Sequence, residues 1–119
     1  MPNRSSRSSG AVFRDRAQAV EEVRRAATRL AAERPGVLEI WLFGSLARGD
    51  ATPRSDADLL IIFGRDDRRP MDRAPEFLRL LGGVGRPVDM IVATADEWRA
   101  RVGSRFYTEV QTRGQRLYP

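Results

Sequence analysis

The sequence predicts an α/β (α+β) fold, a small mixed β-sheet of three to four strands with helices packed against it. Three observations carry that expectation. Short apolar runs rich in β-formers stand at 37–43, 57–63 and 87–93, separated by segments of helical periodicity. The link between the first two runs, 44–56, is too long for a tight hairpin. The chain has 119 residues, enough for one modest core and not for two.

Taken in order, "MPNRSSRSSG" at 1–10 is polar, rich in Ser and Arg, and lacks apolar anchors, which predicts a disordered tail before a domain at 11–119. From Phe13 the pattern turns helical. Ala17, Val20, Val23, Ala27, Leu30 and Ala31 recur at spacings of three and four, with Arg and Glu on the other face. "RPG" at 34–36 stops this helix. "VLEIWLF" (37–43) reads as a buried strand ended by Gly44, and "SLARGD" after it has room for one helical turn. "ADLLIIF" (57–63) is the second strand, closed by Gly64.

"RDDRRPMDR" (65–73) reads as a polar loop, and "APEFLRLLGG" (74–83) as a short helix with Pro75 in its first turn and glycines beyond its end. "PVDMIVA" (87–93) is the third strand. Thr94 and Glu97 form a capping box before a helix containing Trp98 and Val102. A second helical piece runs from about Ser104 to Arg113, with Gly114 as its stop, and "QRLY" offers a last short strand. There is no internal repeat and no second domain.

Composition narrows the chemistry. The chain has no Cys and no His, which removes thiolates, disulfides, the commonest general base and the commonest zinc ligand. An enzyme of this composition must work through carboxylates and metal. The net charge is +5, and all 21 basic residues are Arg. Such a balance permits polyanion binding. The arginines form no long block, however, and no aromatics are interleaved as in a stacking platform, so a solvated basic face is the blander reading and direct nucleic-acid binding is not expected. No apolar run approaches the roughly 20 residues that span a bilayer, and the N-terminus carries no apolar signal segment, so a cytoplasmic location is expected.

The stretch "LFGSLARGDATPRSDADLLIIF" (42–63) concentrates the unusual residues. Gly44 at a strand's end lets backbone approach a ligand, and Ser45 can cap the following turn, leaving N–H groups for an anion. The same pair also makes an ordinary strand-ending turn. Asp56 and Asp58 lie two apart, so on a strand both point to one face and can converge on one or two hard cations. Alternatively Asp56 belongs to the loop, and Asp58 alone enters the strand with Arg48 or Arg54 as partner. Asp89, early in "PVDMIV", joins them if strands 57–63 and 87–93 are neighbours. Three converging acids repel and raise each other's pKa values, so such a cluster makes sense around divalent cations.

These residues resemble the signature of the DNA polymerase beta superfamily of nucleotidyltransferases: Gly-Ser, ten residues, Asp-x-Asp, then a later strand Asp. Here ten residues, 46–55, separate Ser45 from Asp56. The chain looks most like the minimal nucleotidyltransferase branch, many of whose members pair with HEPN-domain toxins. The resemblance covers nearly everything from the first helix onward. It implies that Gly44 and Ser45 hold the β- and γ-phosphates of ATP, and that Asp56 and Asp58 ligate two magnesium ions. Asp89 would complete the metal site and act as base toward the incoming hydroxyl. It also implies phosphate contacts from Arg48 and Arg54. Ala57 stands where relatives usually carry a larger aliphatic residue, which could loosen packing beneath the site.

Larger relatives carry a further domain for their acceptor, and nothing in this chain corresponds to one. The expected partner is therefore another protein, a HEPN ribonuclease toxin, in a hetero-oligomer. The expected reaction is transfer of AMP from ATP to a hydroxyl of that toxin, Tyr being a fitting acceptor, so that the chain acts as an antitoxin. The rival readings are a non-catalytic antitoxin that masks its toxin, and a stand-alone transferase for a small molecule or an RNA end.

Overall fold

A computed structural model describes the backbone of residues 4–49 and 56–119, and side chains from residue 15 onward apart from 50–55. The elements run α1 (Arg4–Glu33), β1 (Val37–Phe43), α2 (Gly44–Arg48), β2 (Ala57–Phe63), α3 (Pro70–Leu81), β3 (Val88–Thr94), α4 (Ala95–Arg99), α5 (Arg105–Arg113) and β4 (Gln115–Tyr118). The strands form one sheet in the order β3-β2-β1-β4. β1 pairs antiparallel with β2 and β4, while β2 and β3 are parallel. A parallel pair needs a crossover, and α3 supplies it. The mixed sheet expected from the sequence is present, with "QRLY" as its fourth strand.

Strand alternation sends side chains to two cores. Ile40, Leu42, Leu59, Ile61 and Phe63 face α1 and α3, where Val23, Leu30, Phe77 and Leu81 are buried. Trp41, Leu60 and Ile62 face the opposite way, against Trp98 of α4 and Val110 of α5. The second core is smaller, and its aromatic rings set its shape: Phe106 stacks edge-on to both Phe43 and Trp98. Ala57 is fully buried, and its N–H donates to the Pro87 carbonyl at 2.9 Å.

Three boundaries differ from the sequence reading. The helix after Thr94 ends at Arg99, so Val102, read as part of it, lies in the turn that follows. The backbone of residues 4–10, read as tail, continues α1, because each residue added to an existing helix gains one hydrogen bond. Residues 70–73, read as loop, are the first turn of α3, with Pro70 at a position that suits its fixed φ. That turn carries Arg73, 2% exposed. Its guanidinium donates to the carbonyls of Arg68 and Val92 and to both carboxylate oxygens of Glu97. Glu97 in turn closes the capping box with Thr94. One buried cation thus fastens α3 to β3 and α4, a role that a polar sequence context concealed.

Candidate active site

Three strand ends meet at one end of the sheet. β1 finishes at Phe43, whose register partner on β2 is Asp58, and the register partner of Asp58 on β3 is Asp89. Adjacent strands lie about 4.8 Å apart, so the turn at Gly44, Asp58 and Asp89 stand side by side across three strands. Strand parity puts Asp58 on the face of Leu60 and Ile62, and Asp89 on the face of Ile91 and Ala93. It is the same face of the sheet. Asp56 directly precedes β2 and is exposed, as is Asp89, while Asp58 is half-buried.

Gly44 has φ +75, a left-handed conformation that disfavours any side chain. A Cβ there would also collide with Oδ2 of Asp58 and lie 3.0 Å from its Cγ. The chain thus turns from β1 into α2 with its backbone directly against the Asp58 carboxylate. The cap of α2 is Phe43, with no side-chain hydrogen bond, and Ser45 is not the cap expected from the sequence. Strand runs into helix without an intervening residue, so Ser45 falls inside the turn, where its carbonyl accepts from Gly49 at 3.0 Å.

The short α2 is held from outside. Arg16 on α1 donates to the carbonyls of Leu46 and Ala47, at 3.1 and 2.8 Å, and Gln115 on β4 donates to Ala47 as well. These groups satisfy the carbonyls a helix end leaves without partners. The sequence reading missed Arg16, although its spacing to Ala19, Val20 and Val23 places it on the buried face of α1. It also missed Glu109, whose carboxylate pairs with Arg48 at 3.2 Å, a contact between distant segments with no local signal.

Electrostatics ties the acids together. Burial pushes the Asp58 carboxyl up from its ordinary range, the charges of Asp89 and Asp56 push it further, and Arg48 partly offsets them. Arg48 therefore acts on Asp58 through its charge while its guanidinium pairs with Glu109. Arg54 lies outside the described residues. Among the described residues no three acidic side chains already form a ready-made ligand set for a metal. The donor chemistry nevertheless fits a hard cation: all three groups are carboxylates, two sit on neighbouring strands, and a cation between them would relieve the repulsion that raises Asp58.

The nucleotidyltransferase domain model matches residues 23–111, which take in all three acids and the Gly44 turn. A protein of Methanocaldococcus jannaschii named "Putative protein adenylyltransferase" is 33% identical over 82 residues, 69% of this chain and 79% of its own length. A crystal structure titled as a putative nucleotidyltransferase from Sulfolobus solfataricus is similar with a TM-score of 0.62 and 27% identity. That similarity covers 75% of this chain and 78% of the other. Among the described residues no helix is long and apolar enough to cross a membrane.

Proposed function

This chain belongs to the nucleotidyltransferase domain family, and on that premise we propose that it is a magnesium-dependent protein adenylyltransferase. In this reading it moves AMP from ATP to a tyrosine hydroxyl of a partner protein, a HEPN ribonuclease toxin, and so acts as its antitoxin in the cytoplasm. The observation that carries the reading is the register pairing of Asp58 with Asp89, beside a glycine turn that admits no side chain. The name of the archaeal relative supports a protein acceptor. The toxin partner rests on the resemblance of the motif alone.

Each residue then has a task. The backbone at Gly44 and Ser45 receives the β- and γ-phosphates, with Arg48 and Arg54 adding positive charge beside them. Asp56, Asp58 and Asp89 would hold two magnesium ions, which when bound polarise phosphoryl oxygens and offset the charge of the triphosphate. Asp89, on the edge strand, accepts the proton of the incoming hydroxyl. The acceptor oxygen forms its bond to the α-phosphorus as the bond to the bridging oxygen breaks, and pyrophosphate leaves with that electron pair. Positioning, charge compensation and one carboxylate base are the protein's contribution, which explains how a chain without His can do it.

The test is co-expression with the protein encoded beside it, followed by incubation with α-labelled ATP and magnesium. Label on the partner, lost in Asp56→Asn, supports the reading. Stable association without label would favour masking, and label on a small molecule or RNA without a protein product would favour the stand-alone transferase.

A further inference from the structure

A pocket of about 490 Å³ opens on the α4–α5 side of the sheet, walled by Leu60, Ile91, Ala93, Trp98 and Phe106, with Arg101 also in its lining. Its size lies within the range of small-ligand sites. Three of its walls continue, step by step along the chain, into the acidic end of the sheet. Leu60 follows Asp58 by two residues on one strand face, and Ile91 follows Asp89 in the same way. Phe106 packs edge-on at 5.1 Å against Phe43, the residue before Gly44. The pocket thus begins two strand residues beyond Asp58 and Asp89, on the face of the sheet that those acids share.

We infer that this pocket receives the phenol ring of the acceptor tyrosine, with its hydroxyl directed toward Asp89; the inference rests on the adenylyltransferase reading above. Direction decides between the acceptor ring and the nucleobase. In phosphoryl transfer the attacking and leaving oxygens lie roughly in line through the phosphorus. With the triphosphate at the Gly44 turn of β1, pyrophosphate leaves on that side of Asp58. The acceptor must then approach from the opposite side, which is β3. β3 is an edge strand, and Ile91 is 44% exposed, so a partner polypeptide can reach the pocket from outside. Two strand residues span about 6.6 Å, a distance suited to a phenol whose ring meets Ile91 and whose oxygen meets Asp89. The phenol oxygen bonds to the α-phosphorus, its proton goes to the Asp89 carboxylate, and pyrophosphate carries off the electrons of the broken bond. An aliphatic serine or threonine hydroxyl would leave the aromatic walls unfilled.

The experiment uses the full chain and N-acetyl-tyrosine amide as probe, with magnesium and ATP titrated separately. Binding is followed by NMR at the Ile91 methyls and the Trp98 indole N–H. Ile91→Thr keeps a β-branched residue on the strand but removes part of the apolar wall. Val102→Glu, at an exposed position outside the pocket, is the control. The probe should shift both reporters in the parent, and its affinity should fall about tenfold in Ile91→Thr, while ATP affinity stays within twofold. Val102→Glu should change neither. If Ile91→Thr weakens ATP and spares the probe, the pocket holds the base and the inference is overturned. No probe shift at Ile91 and Trp98 in the parent also overturns it. Probe binding in a parent chain that transfers no AMP would uphold the pocket and overturn the adenylyltransferase reading instead.

Discussion

The Asp58 carboxylate occupies the space that a side chain on Gly44 would need, with Oδ2 standing where a Cβ would be built. The backbone of the Gly44 turn and the Asp58 side chain of the acidic strand are therefore in direct contact.

Gly44→Ala should be costly for two separable reasons. The left-handed φ of +75 strains any side chain by about 1–3 kcal/mol, and the collision with Asp58 adds to that. Urea unfolding should show a loss of at least about 2 kcal/mol, and magnesium-dependent ATP binding should disappear. Gly83→Ala, where a Cβ would meet nothing within 4 Å, should stay within about 0.5 kcal/mol of the parent. Equal stability of the two variants would show that the Gly44 turn relaxes freely.

The raised pKa of Asp58 predicts a trade between stability and binding. Asp58→Asn removes a carboxylate that burial and two like charges disfavour, so the folded state should lose nothing and gain slightly in Tm. Calorimetric affinity for ATP with magnesium should fall at least about tenfold, a cost of roughly 1.4 kcal/mol. Unchanged affinity in the Asp56→Asn, Asp58→Asn double variant would remove these acids from the metal site.

Stability should fall in acid for reasons distant from the site. Hydrogen bonding from the Arg68 side chain, against the cost of burial, holds the Asp66 carboxyl at about 2, below its ordinary 3.8. Glu76 and Glu97 are lowered as well, chiefly by hydrogen bonds from Arg68 and Arg73. A folded pKa below the unfolded one means the unfolded chain takes up the proton first. The contribution of Asp66 is therefore complete above about pH 4 and fades as pH falls toward about 2. Asp66→Asn should flatten the decline of Tm across that window. A slope identical to the parent's would mean that Asp66 is not what acid removes.

What could be read from the sequence divides along physical lines. The strands and the Asp58–Asp89 neighbourhood were legible because apolar runs and residue parity are local signals, and only the pairing of β2 with β3 had to be assumed. The position of Ser45 was misread, since one residue's difference in where a strand ends decides which residue caps a helix. Arg73 and Glu109 were invisible for another reason. A charged residue in a polar stretch looks solvated until a partner 24 or 61 positions away is brought to it.

The sharpest division between catalysis and masking falls on Asp89. It is exposed on an edge strand, so its removal leaves the cores and the Gly44 turn untouched and the fold should survive. In the proposed reading, Asp89→Ala takes away one carboxylate from the metal-binding set and the acceptor of the hydroxyl proton together. Losing a group of this kind removes several kcal/mol of transition-state stabilisation, and each 1.36 kcal/mol is tenfold in rate. AMP transfer to the partner should accordingly drop by about a thousandfold or more, while pull-down of the partner stays at the parent's level. In cells, protection against the toxin should vanish with the transfer. If Asp89→Ala protects as well as the parent while labelling nothing, neutralisation works by masking a surface, and transfer of AMP is not how this chain protects its host.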